Sequence, residues 1–446
     1  MKVPSLAAVT LSLALPLVAQ VMPPVDPSLM RQINQLKAID NHAHPPALVN
    51  SGEKDDDFDA LPCDPLEPTT PGLLFRQDNP IYLEAWKSLF GYKYDDAAPE
   101  HLRELQAAKL KAKQQQGDNY PNWVLDQLGI ERELANRIAL GRGQSPPRFQ
   151  WVPFDDILLF PLDNSALAGQ SPDHRIFFSR EALLLQRYLR QLGVDSVPAT
   201  LLDYEVKIVT PILELQKKNG AVAIKFEAAY LRSLDFAPAQ RADAERIYGL
   251  YPKGKVPSNL GYKILQDYLF RYVAREAGRL GMAVHLHTGG GCGGYFHLEG
   301  SNPVLLDSVF NDPSLRKTKF VMLHAGAGNF DGLVAYLLMK PNVYADISEQ
   351  TWMTSAHHMA SGLRFMLEWY PEKVLFGTDL FPGSPQVDWE EVGYQTNRNA
   401  RLALAEALTG MMRDGEITRQ QAGTIAKMVM RETAIKLYGW NELQTK

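Results

Sequence analysis

The sequence predicts an α/β fold, most economically a (β/α)8 barrel with a long insertion after the first strand and helices at its C-terminal end. Eight short apolar runs recur along the chain, and amphipathic stretches separate most of them. Parallel strands joined by helices need right-handed crossovers, and eight such strands close into a barrel. The predicted strands contain LKAID, LANRIAL, FQWVPF, VAIKF, MAVHLH, FVMLHA, NVYADIS and KVLFGTD.

The stretches between these runs have the periodicity of helices with one buried face. The clearest is YKILQDYLFRYVAREAGRLG, in which apolar residues recur every three or four positions before a glycine ends the last turn. The chain has 446 residues, of which 45% are hydrophobic and 22% are charged. This composition suits a globular protein with a large core, and the length suits one barrel with insertions. We therefore predict one domain over residues 30–446.

The interval between the first two predicted strands is unusually long. Residues 46–120 contain the acidic segment GEKDDDFDA, then the turn-rich LPCDPLEPTTPG, and become helical around HLRELQAAKLKAKQQQ. We interpret them as an insertion within the barrel domain. Two placements stay open: the insertion lies over the barrel mouth, or it is a solvated surface excursion without a role in a site.

Residues 1–20 have the layout of a secretory signal peptide. A lysine precedes the apolar run LAAVTLSLALPLVAQ, which is too short to span a bilayer and has a small residue near its end. A buried N-terminal helix is the alternative. Export predicts a periplasmic or secreted protein with no stable membrane anchor. In an oxidising compartment the two cysteines, Cys63 and Cys292, could form a disulfide.

Histidine is scarce, with ten in the chain, and several stand where predicted strands end. His42 and His44 follow the first strand, His287 ends the fifth, His324 ends the sixth and Asp379 ends the eighth. Because all parallel strands of a barrel end at the same mouth, we expect these side chains to converge there. The two-residue spacing also places His42 and His44 on one side of the chain.

This predicted cluster has the chemistry of a metal site. Imidazole and carboxylate are the usual ligands of Zn²⁺, and they also suit Mn²⁺ or Fe²⁺. Three histidines and one aspartate would leave a position for water, which such a metal makes acidic enough to be a nucleophile near neutral pH. The sequence therefore predicts one or two divalent ions, zinc first among them.

At these residues the chain resembles the amidohydrolase superfamily of metal-dependent hydrolases. The matching features are NHAH after the first strand and HLHTG, LHAG and GTD at the later strands. The surroundings VLFGTDLFP and PNVYADIS are most similar to the amidohydrolase-2, or amidohydrolase-related, branch. Within that branch they resemble the amidohydrolase-like half fused to glutamine synthetase in some plant and fungal proteins. The resemblance is weak across the insertion and strongest toward the C-terminal end.

The resemblance implies a role for each of these residues. His42 and His44 would bind the first metal, and His287 would bind it or a neighbouring ion. Asp379 would ligate the metal and take a proton from the attacking water. His324 would either bind a second metal or polarise the substrate.

Three further residues are candidates near the site. Lys225 ends the fourth strand, where binuclear members carry a carboxylated lysine that bridges two metals; a buried charge partner of Glu227 is the alternative. Arg232 could bind an anionic group of the substrate, although an exposed loop arginine is the simpler interpretation. Cys292, in the glycine-rich loop after the fifth strand, could lie near the substrate.

The resemblance implies an enzyme that hydrolyses an amide or ester bond of a small molecule with a metal-activated hydroxide. A metal-dependent non-oxidative decarboxylase of the same branch is the alternative, but several of those replace the first histidine of the first-strand motif by glutamate. A non-catalytic binding protein would have lost strand-end ligands that this chain retains. The net charge of −5, without a basic block, argues against nucleic acid as a partner. A homo-oligomer stays an open alternative.

Overall fold

The structure is a computed structural model that describes residues 25–50, 52–68, 70, 72–250 and 256–440. The predicted signal peptide, residues 1–20, lies outside these ranges. No helix within them combines the length and the apolar character needed to cross a bilayer.

Eight parallel strands of the described ranges form the centre of the molecule. They are β1 (Ala38–Ala43), β2 (Ile130–Asn136), β3 (Phe149–Val152), β4 (Ala223–Phe226), β5 (Ala283–His287), β6 (Phe320–Leu323), β7 (Val343–Asp346) and β8 (Val374–Leu375). Neighbours pair in the order β1-β2-β3 and β4-β5-β6-β7-β8, and every pairing is parallel.

Backbone contacts close the two sheets into one barrel. Parallel bridges between Trp151 and Ala221 and between Phe154 and Lys225 join β3 to β4. On the other side, the Asn41 N–H donates to the Phe376 carbonyl at 3.0 Å, which joins β1 to β8. The predicted (β/α)8 TIM barrel is therefore confirmed.

Helices surround the strands and extend beyond them at both ends of the chain. They are α1 (Pro27–Gln35), α2 (Pro80–Phe90), α3 (Pro99–Gln116), α4 (Tyr120–Leu128), α5 (Ser165–Ala168), α6 (Pro172–Leu192), α7 (Leu201–Tyr204), α8 (Thr210–Lys218), α9 (Arg241–Leu250), α10 (Asn259–Arg279), α11 (Asp307–Phe310), α12 (Asp331–Leu337), α13 (Gln350–Met353), α14 (Ala356–Trp369), α15 (Trp389–Arg413), α16 (Arg419–Lys427) and α17 (Thr433–Tyr438).

Apolar side chains of the strands form a cluster with the last helix that the structure describes. Ile39, Leu134 and Val152 pack there with Ala434 and Leu437 of α17. The helix α17 is therefore packed against the strands of the barrel. In a barrel of parallel strands, the carboxyl ends of the strands are the place for a site.

The second strand begins before the apolar run LANRIAL that predicted it. Its first residues include Arg132, which stacks over Trp440 at 4.1 Å, and Glu133, which is fully buried. Because charged residues occupy buried positions of the strand here, the apolar pattern alone predicted its first residue too late in the sequence.

The insertion after β1 divides into two parts. Its helices α2 and α3 pack beside the barrel against α15, where Tyr82 Oη donates to Gln395 Oε1 at 2.7 Å and Lys109 Nζ donates to Glu391 Oε2 at 2.7 Å. The irregular part before α2 instead reaches the mouth, where Phe58 and Asp59 line a cavity. Neither placement predicted for the insertion therefore describes all of it.

Candidate metal centre

Three side chains from the first and last strands meet at the mouth of the barrel. His42 ends β1 together with Ala43, His44 follows directly, and Asp379 lies shortly after β8. His42 Nε2 is 3.0 Å from Asp379 Oδ1, and His44 Nε2 is 3.5 Å from the same oxygen. One ligand atom of each residue lies within 4.8 Å of the others, so the three form a first triad that could hold a metal ion.

A second triad lies at the ends of β5, β6 and β7. It consists of His287, His324 and Glu349, whose ligand atoms again lie within 4.8 Å of one another. His324 Nδ1 is 3.9 Å from Glu349 Oε2. All three residues are buried, and Glu349 Oε2 has no hydrogen-bond partner. A buried carboxylate oxygen without a partner is unstable unless a cation or a proton balances it.

The hydrogen bonds of the second triad show which ring nitrogens are free. His287 Nε2 donates to the Gly290 carbonyl at 2.5 Å. His324 Nδ1 donates to Ser348 Oγ at 2.9 Å, because the Ser348 hydroxyl itself donates to Asp346 Oδ1. Each neutral ring has then used its single N–H. The lone pairs of His287 Nδ1 and His324 Nε2 therefore face each other across 3.0 Å, an arrangement that a cation would stabilise.

Burial favours the neutral form of His42, His287 and His324. It lowers the pKa of His287 to about 3, with the charge of Lys225 as a second cause. Burial likewise lowers the pKa of His42 and of His324 well below the ordinary value. Since a metal binds the neutral imidazole, these residues are ready to act as ligands at physiological pH.

Burial acts in the opposite direction on the carboxyl groups. It raises the pKa of Asp379 to about 7, although His44 and Lys225 lower it. It also raises the pKa of Glu349 well above the ordinary value, and the charge of Asp379 adds to this effect. Two acids whose charged form is disfavoured by burial thus lie beside neutral imidazoles, which is an environment that a divalent cation fits.

Lys225 is fully buried beside the first triad. Its Nζ lies 3.3 Å from His42 Nε2 and 3.8 Å from Glu227 Oε1. The structure thus contains the contact with Glu227 that the charge-partner alternative requires, and it places the amine next to a candidate ligand as the bridging alternative requires.

Strained backbone is concentrated at the same strand ends. In the part of the chain that the structure describes, five residues other than glycine have a positive φ, and all follow β6, β7 or β8. Those that belong to the triads are His324 at +67°, Glu349 at +59° and Asp379 at +56°. Such conformations cost about 1–3 kcal/mol each and persist where the surrounding structure enforces them, typically at functional sites.

The two triads open into a small cavity of about 170 Å³. Its aromatic walls are Phe58, Tyr230, Trp352 and Phe381. Of these, Phe58 comes from the insertion after β1, and Tyr230 lies against the His287 ring at 4.6 Å between ring centres. The size of the cavity admits a small molecule or one end of a larger one.

Arg232 does not reach the triads, so its predicted role in binding an anionic substrate at this site is wrong. Its guanidinium donates to Asp267 Oδ1 at 2.7 Å and to Gln266 Oε1 at 2.9 Å, and it stacks over Phe236. Only 9% of the side chain is exposed, so the alternative of an exposed loop arginine is also wrong. The nearby acid recruits the guanidinium away from the barrel mouth.

Cys292 does line the cavity, but as part of a disulfide with Cys63. The two Cα atoms are 5.9 Å apart, and the bond joins the insertion to the loop after β5. The pairing that the sequence left open is therefore present, and the sulfur offers a substrate no free thiol.

Several residues of the site were not among the sequence candidates. Glu349 stands three residues after Asp346, the last residue of β7, so applying the strand-end rule to acids as well as to histidines would have found it. Asp59 and the aromatic walls carry no comparable signal, because a long insertion and separate loops bring them to the mouth.

Comparison with known proteins identifies the family. The family model described as amidohydrolase matches residues 218–440, which is half of the 446 residues. The chain belongs to the amidohydrolase family. The resemblance found in the motifs is thereby confirmed, and the matched part of this amidohydrolase contains Lys225, His287, His324, Glu349 and Asp379. The first-triad histidines lie before it.

Similar proteins cover the family segment or the whole barrel. This amidohydrolase is 28% identical over 237 residues to the protein fluG of Emericella nidulans, in a match that covers 50% of this chain. It spans only 26% of fluG, about a quarter of that protein's length.

Solved structures share the fold over nearly the full length. A glucuronate isomerase from Caulobacter crescentus matches with a TM-score of 0.61 and 12% identity, covering 95% of this chain and 97% of that one. A protein named provisionally as a metal-dependent hydrolase, from Lactobacillus casei, matches with a TM-score of 0.56 and 15% identity, covering 94% and 99%. At such identities the likeness concerns the fold alone.

Proposed function

We propose that this amidohydrolase is a metal-dependent hydrolase that cleaves an amide or ester bond of a small molecule. The observation that carries the proposal is the position of Asp379, whose Oδ1 is 3.0 Å from His42 and 3.5 Å from His44 in a small, largely buried cavity. An acid in this position can both hold a cation and accept a proton.

The two triads define where metal would bind. His42, His44 and Asp379 would hold one divalent ion, with Zn²⁺ the first choice and Mn²⁺ or Fe²⁺ the alternatives. The facing lone pairs of His287 and His324 and the unpaired oxygen of Glu349 fit a second ion. When bound, such a metal supplies Lewis acidity toward a carbonyl and makes water more acidic.

The protein's own groups would then handle protons and exclude bulk water. Asp379 Oδ1 faces both imidazoles of the first triad, which leaves Oδ2 to take a proton from water and return it to the leaving amine or alcohol. Lys225 Nζ, 3.3 Å from His42, can donate to an oxygen that becomes negative. Phe58 and Trp352 wall the cavity, so that the field of these groups acts with little screening.

The charges of the cavity favour hydrolysis over decarboxylation. Lys225 is the one lysine or arginine among the described residues that line the cavity, and Glu227 lies 3.8 Å from it. A decarboxylase must bind a substrate carboxylate, and the acids Asp59 and Asp64 in the same lining oppose one. A neutral amide or ester meets no such repulsion.

The proposal includes the export of this protein from the cytoplasm. The disulfide between Cys63 and Cys292 supports an oxidising compartment such as a periplasm or the extracellular space. Expression of the full chain in a bacterium, followed by fractionation and mass determination of the mature N-terminus, tests this. Unprocessed protein in the cytoplasm would contradict export without affecting the hydrolase proposal.

The test of the reaction uses full-length protein loaded with Zn²⁺, Mn²⁺ or Fe²⁺. Panels of dipeptides, N-acyl amino acids, esters, phenolic acids and uronates are incubated in ¹⁸O-labelled water. We expect one ¹⁸O atom in the product carboxylate of an amide or ester. Release of CO2 with no ¹⁸O in the remaining organic product would establish the decarboxylase instead, and an isomerised uronate would establish an isomerase.

Matched histidine variants connect the reaction to the site. His42→Ala should abolish turnover, whereas His357→Ala, at an exposed position of α14, should leave it unchanged. Metal content is measured in both proteins by elemental analysis. Full turnover by His42→Ala would contradict the proposal.

A further inference from the structure

The acidic segment of the insertion is attached to the barrel through alternate aspartates. Asp55 forms a two-pronged ion pair with Arg137, at 2.6 Å and 2.9 Å. Asp57 forms an ion pair with Arg187 of α6. The third aspartate, Asp59, points to the mouth of the barrel.

Asp59 there meets a ligand of the first triad. Its Oδ2 lies 3.0 Å from His44 Nδ1, on the side of the ring away from the Nε2 that faces Asp379. The ring N–H is not aligned closely enough for a full hydrogen bond. Apo sites often hold such contacts loosely and tighten them when the site is filled. Both side chains are 11% exposed, so little water competes for the contact.

A carboxylate on the outer nitrogen of a metal-bound histidine fixes which nitrogen carries the proton. With the proton of His44 on Nδ1 and directed at Asp59, the Nε2 lone pair is directed at the first triad. The arrangement also orients the ring, which Phe58 and Phe154 flank at 6.4 Å and 6.2 Å between ring centres.

The disulfide holds this segment in place from its other end. Cys63 stands four residues after Asp59 and is bonded to Cys292, five residues after His287. The segment is thus attached on one side through Asp55 and Asp57 and on the other side through the loop that follows a ligand of the second triad.

We infer that Asp59 is a positioning residue, supplied by the insertion, that orients His44 for metal binding. The inference rests on the proposed metal site. It gives the insertion a specific role, because the first triad then reaches full affinity only when the segment of residues 55–63 is seated on the barrel.

The test measures Zn²⁺ affinity by chelator competition with the full-length protein, without any assay of turnover. We expect Asp59→Ala to weaken Zn²⁺ binding about 10- to 100-fold, the usual effect of removing such an outer carboxylate. Asp59→Asn keeps an oxygen that can accept from His44 and should lose less. Asp56→Ala removes an exposed acid of the same segment and should bind as the unmodified protein does.

A double-variant cycle separates positioning from general support of the fold. In a His44→Ala background, a further Asp59→Ala change should cost no more affinity, because Asp59 acts through His44. Equal losses in both backgrounds, or unchanged Zn²⁺ affinity in Asp59→Ala, would overturn the inference. If Asp59→Ala does not fold, Asp59→Asn decides, and full affinity in that variant overturns the inference.

Failure of the metal proposal has a different signature. In that case the unmodified protein binds no Zn²⁺, or it binds Zn²⁺ equally well after His42→Ala. Loss of affinity in His42→Ala together with full affinity in Asp59→Ala rejects only the role of Asp59.

Discussion

At the residue scale, Asp379 combines an unusual backbone with an unusual side chain. Its φ of +56° is tolerated best by glycine, asparagine and aspartate, because short polar side chains can stabilise the left-handed conformation. Asparagine at this position therefore preserves the backbone while it removes the acid. This makes the isosteric substitution a clean probe of chemistry.

We expect Asp379→Asn to fold like the unmodified protein and to lose turnover by about 10²- to 10⁴-fold, the range of general acid–base contributions. The readouts are kcat on the substrate found in the panel and the unfolding midpoint in urea. Asp56→Asn, an exposed acid of the insertion, is the control and should keep full activity. Turnover within threefold of the unmodified enzyme would show that Asp379 handles no proton.

A second residue-scale prediction concerns Asp155, a buried acid that follows β3. Its Oδ1 accepts from Gln216 Nε2 at 2.8 Å, while Oδ2 has no partner. Burial raises the pKa of Asp155 from 3.8 to about 7, and the hydrogen bonds of Gln216 and Tyr188 only partly oppose this. The folded state therefore holds a proton that the unfolded chain releases near pH 4.

The sign of the pH dependence follows from this raised pKa. The stability contributed by neutral Asp155 is complete below pH 3.8 and is lost as the pH rises through about 7. In Asp155→Asn this side chain is neutral at every pH. The free energy of unfolding of the variant should therefore equal that of the unmodified protein near pH 4 and exceed it by about 2–4 kcal/mol at pH 8. Urea titrations across this range check the difference, with the exposed Asp195→Asn as control. A constant difference between the proteins would contradict the raised pKa.

At the scale of elements, the loops after β5 and β6 touch through their backbones. Gly289 has a φ of +88°, and a Cβ there would lie 2.4 Å from the Gly326 carbonyl carbon and 2.7 Å from the Ala327 nitrogen. Backbone cannot move aside as a flexible side chain can. The glycine therefore allows the two loops that follow His287 and His324 to approach each other.

Gly289→Ala should separate these loops and disturb the second triad. Gly193→Ala is a matched control, because Gly193 ends α6 with a φ of +66° and has open space around its Cβ position. We expect the control to lose about 1 kcal/mol of unfolding free energy from its backbone conformation alone. Gly289→Ala should lose about 1–3 kcal/mol more through overpacking and should also bind metal more weakly. Equal losses of unfolding free energy in the two variants would mean that the loops move apart without an energetic cost.

The elements also explain what the sequence could predict. The strands with His42, His287 and His324 at their ends were identifiable because a buried parallel strand is a continuous apolar run and its end projects toward a common mouth. Arg232 was misplaced because Asp267 of α10, distant in sequence, recruits its guanidinium. Asp59 could not be found because no local pattern predicts where a long insertion returns to the barrel.

At the scale of the whole molecule, the site draws on both halves of the chain. The first triad joins β1 to β8, while the family match begins only at residue 218. The barrel makes this possible because β1 and β8 are neighbours in the closed sheet although they are far apart in sequence. The N-terminal half, which lies before the family match, thus supplies two candidate ligands of the first triad. It also supplies Asp59 and one wall of the cavity.

The disulfide joins those halves by a covalent bond besides the peptide backbone, and its removal should affect the molecule as a whole. Cys63 and Cys292 are separated by 229 residues, so the bond restricts a large loop of the unfolded chain. We expect the Cys63→Ser, Cys292→Ser double variant to lose about 2–5 kcal/mol of unfolding free energy in urea, the usual range for native disulfides. The unmodified protein should lose the same amount when it is reduced, whereas the stability of the double variant should not change on addition of the reductant.

Because the segment that carries Asp59 would be released at one end in the double variant, its Zn²⁺ affinity should fall as well. Unchanged stability and affinity in a protein whose two thiols have become titratable would show that Asp55 and Asp57 alone seat the segment.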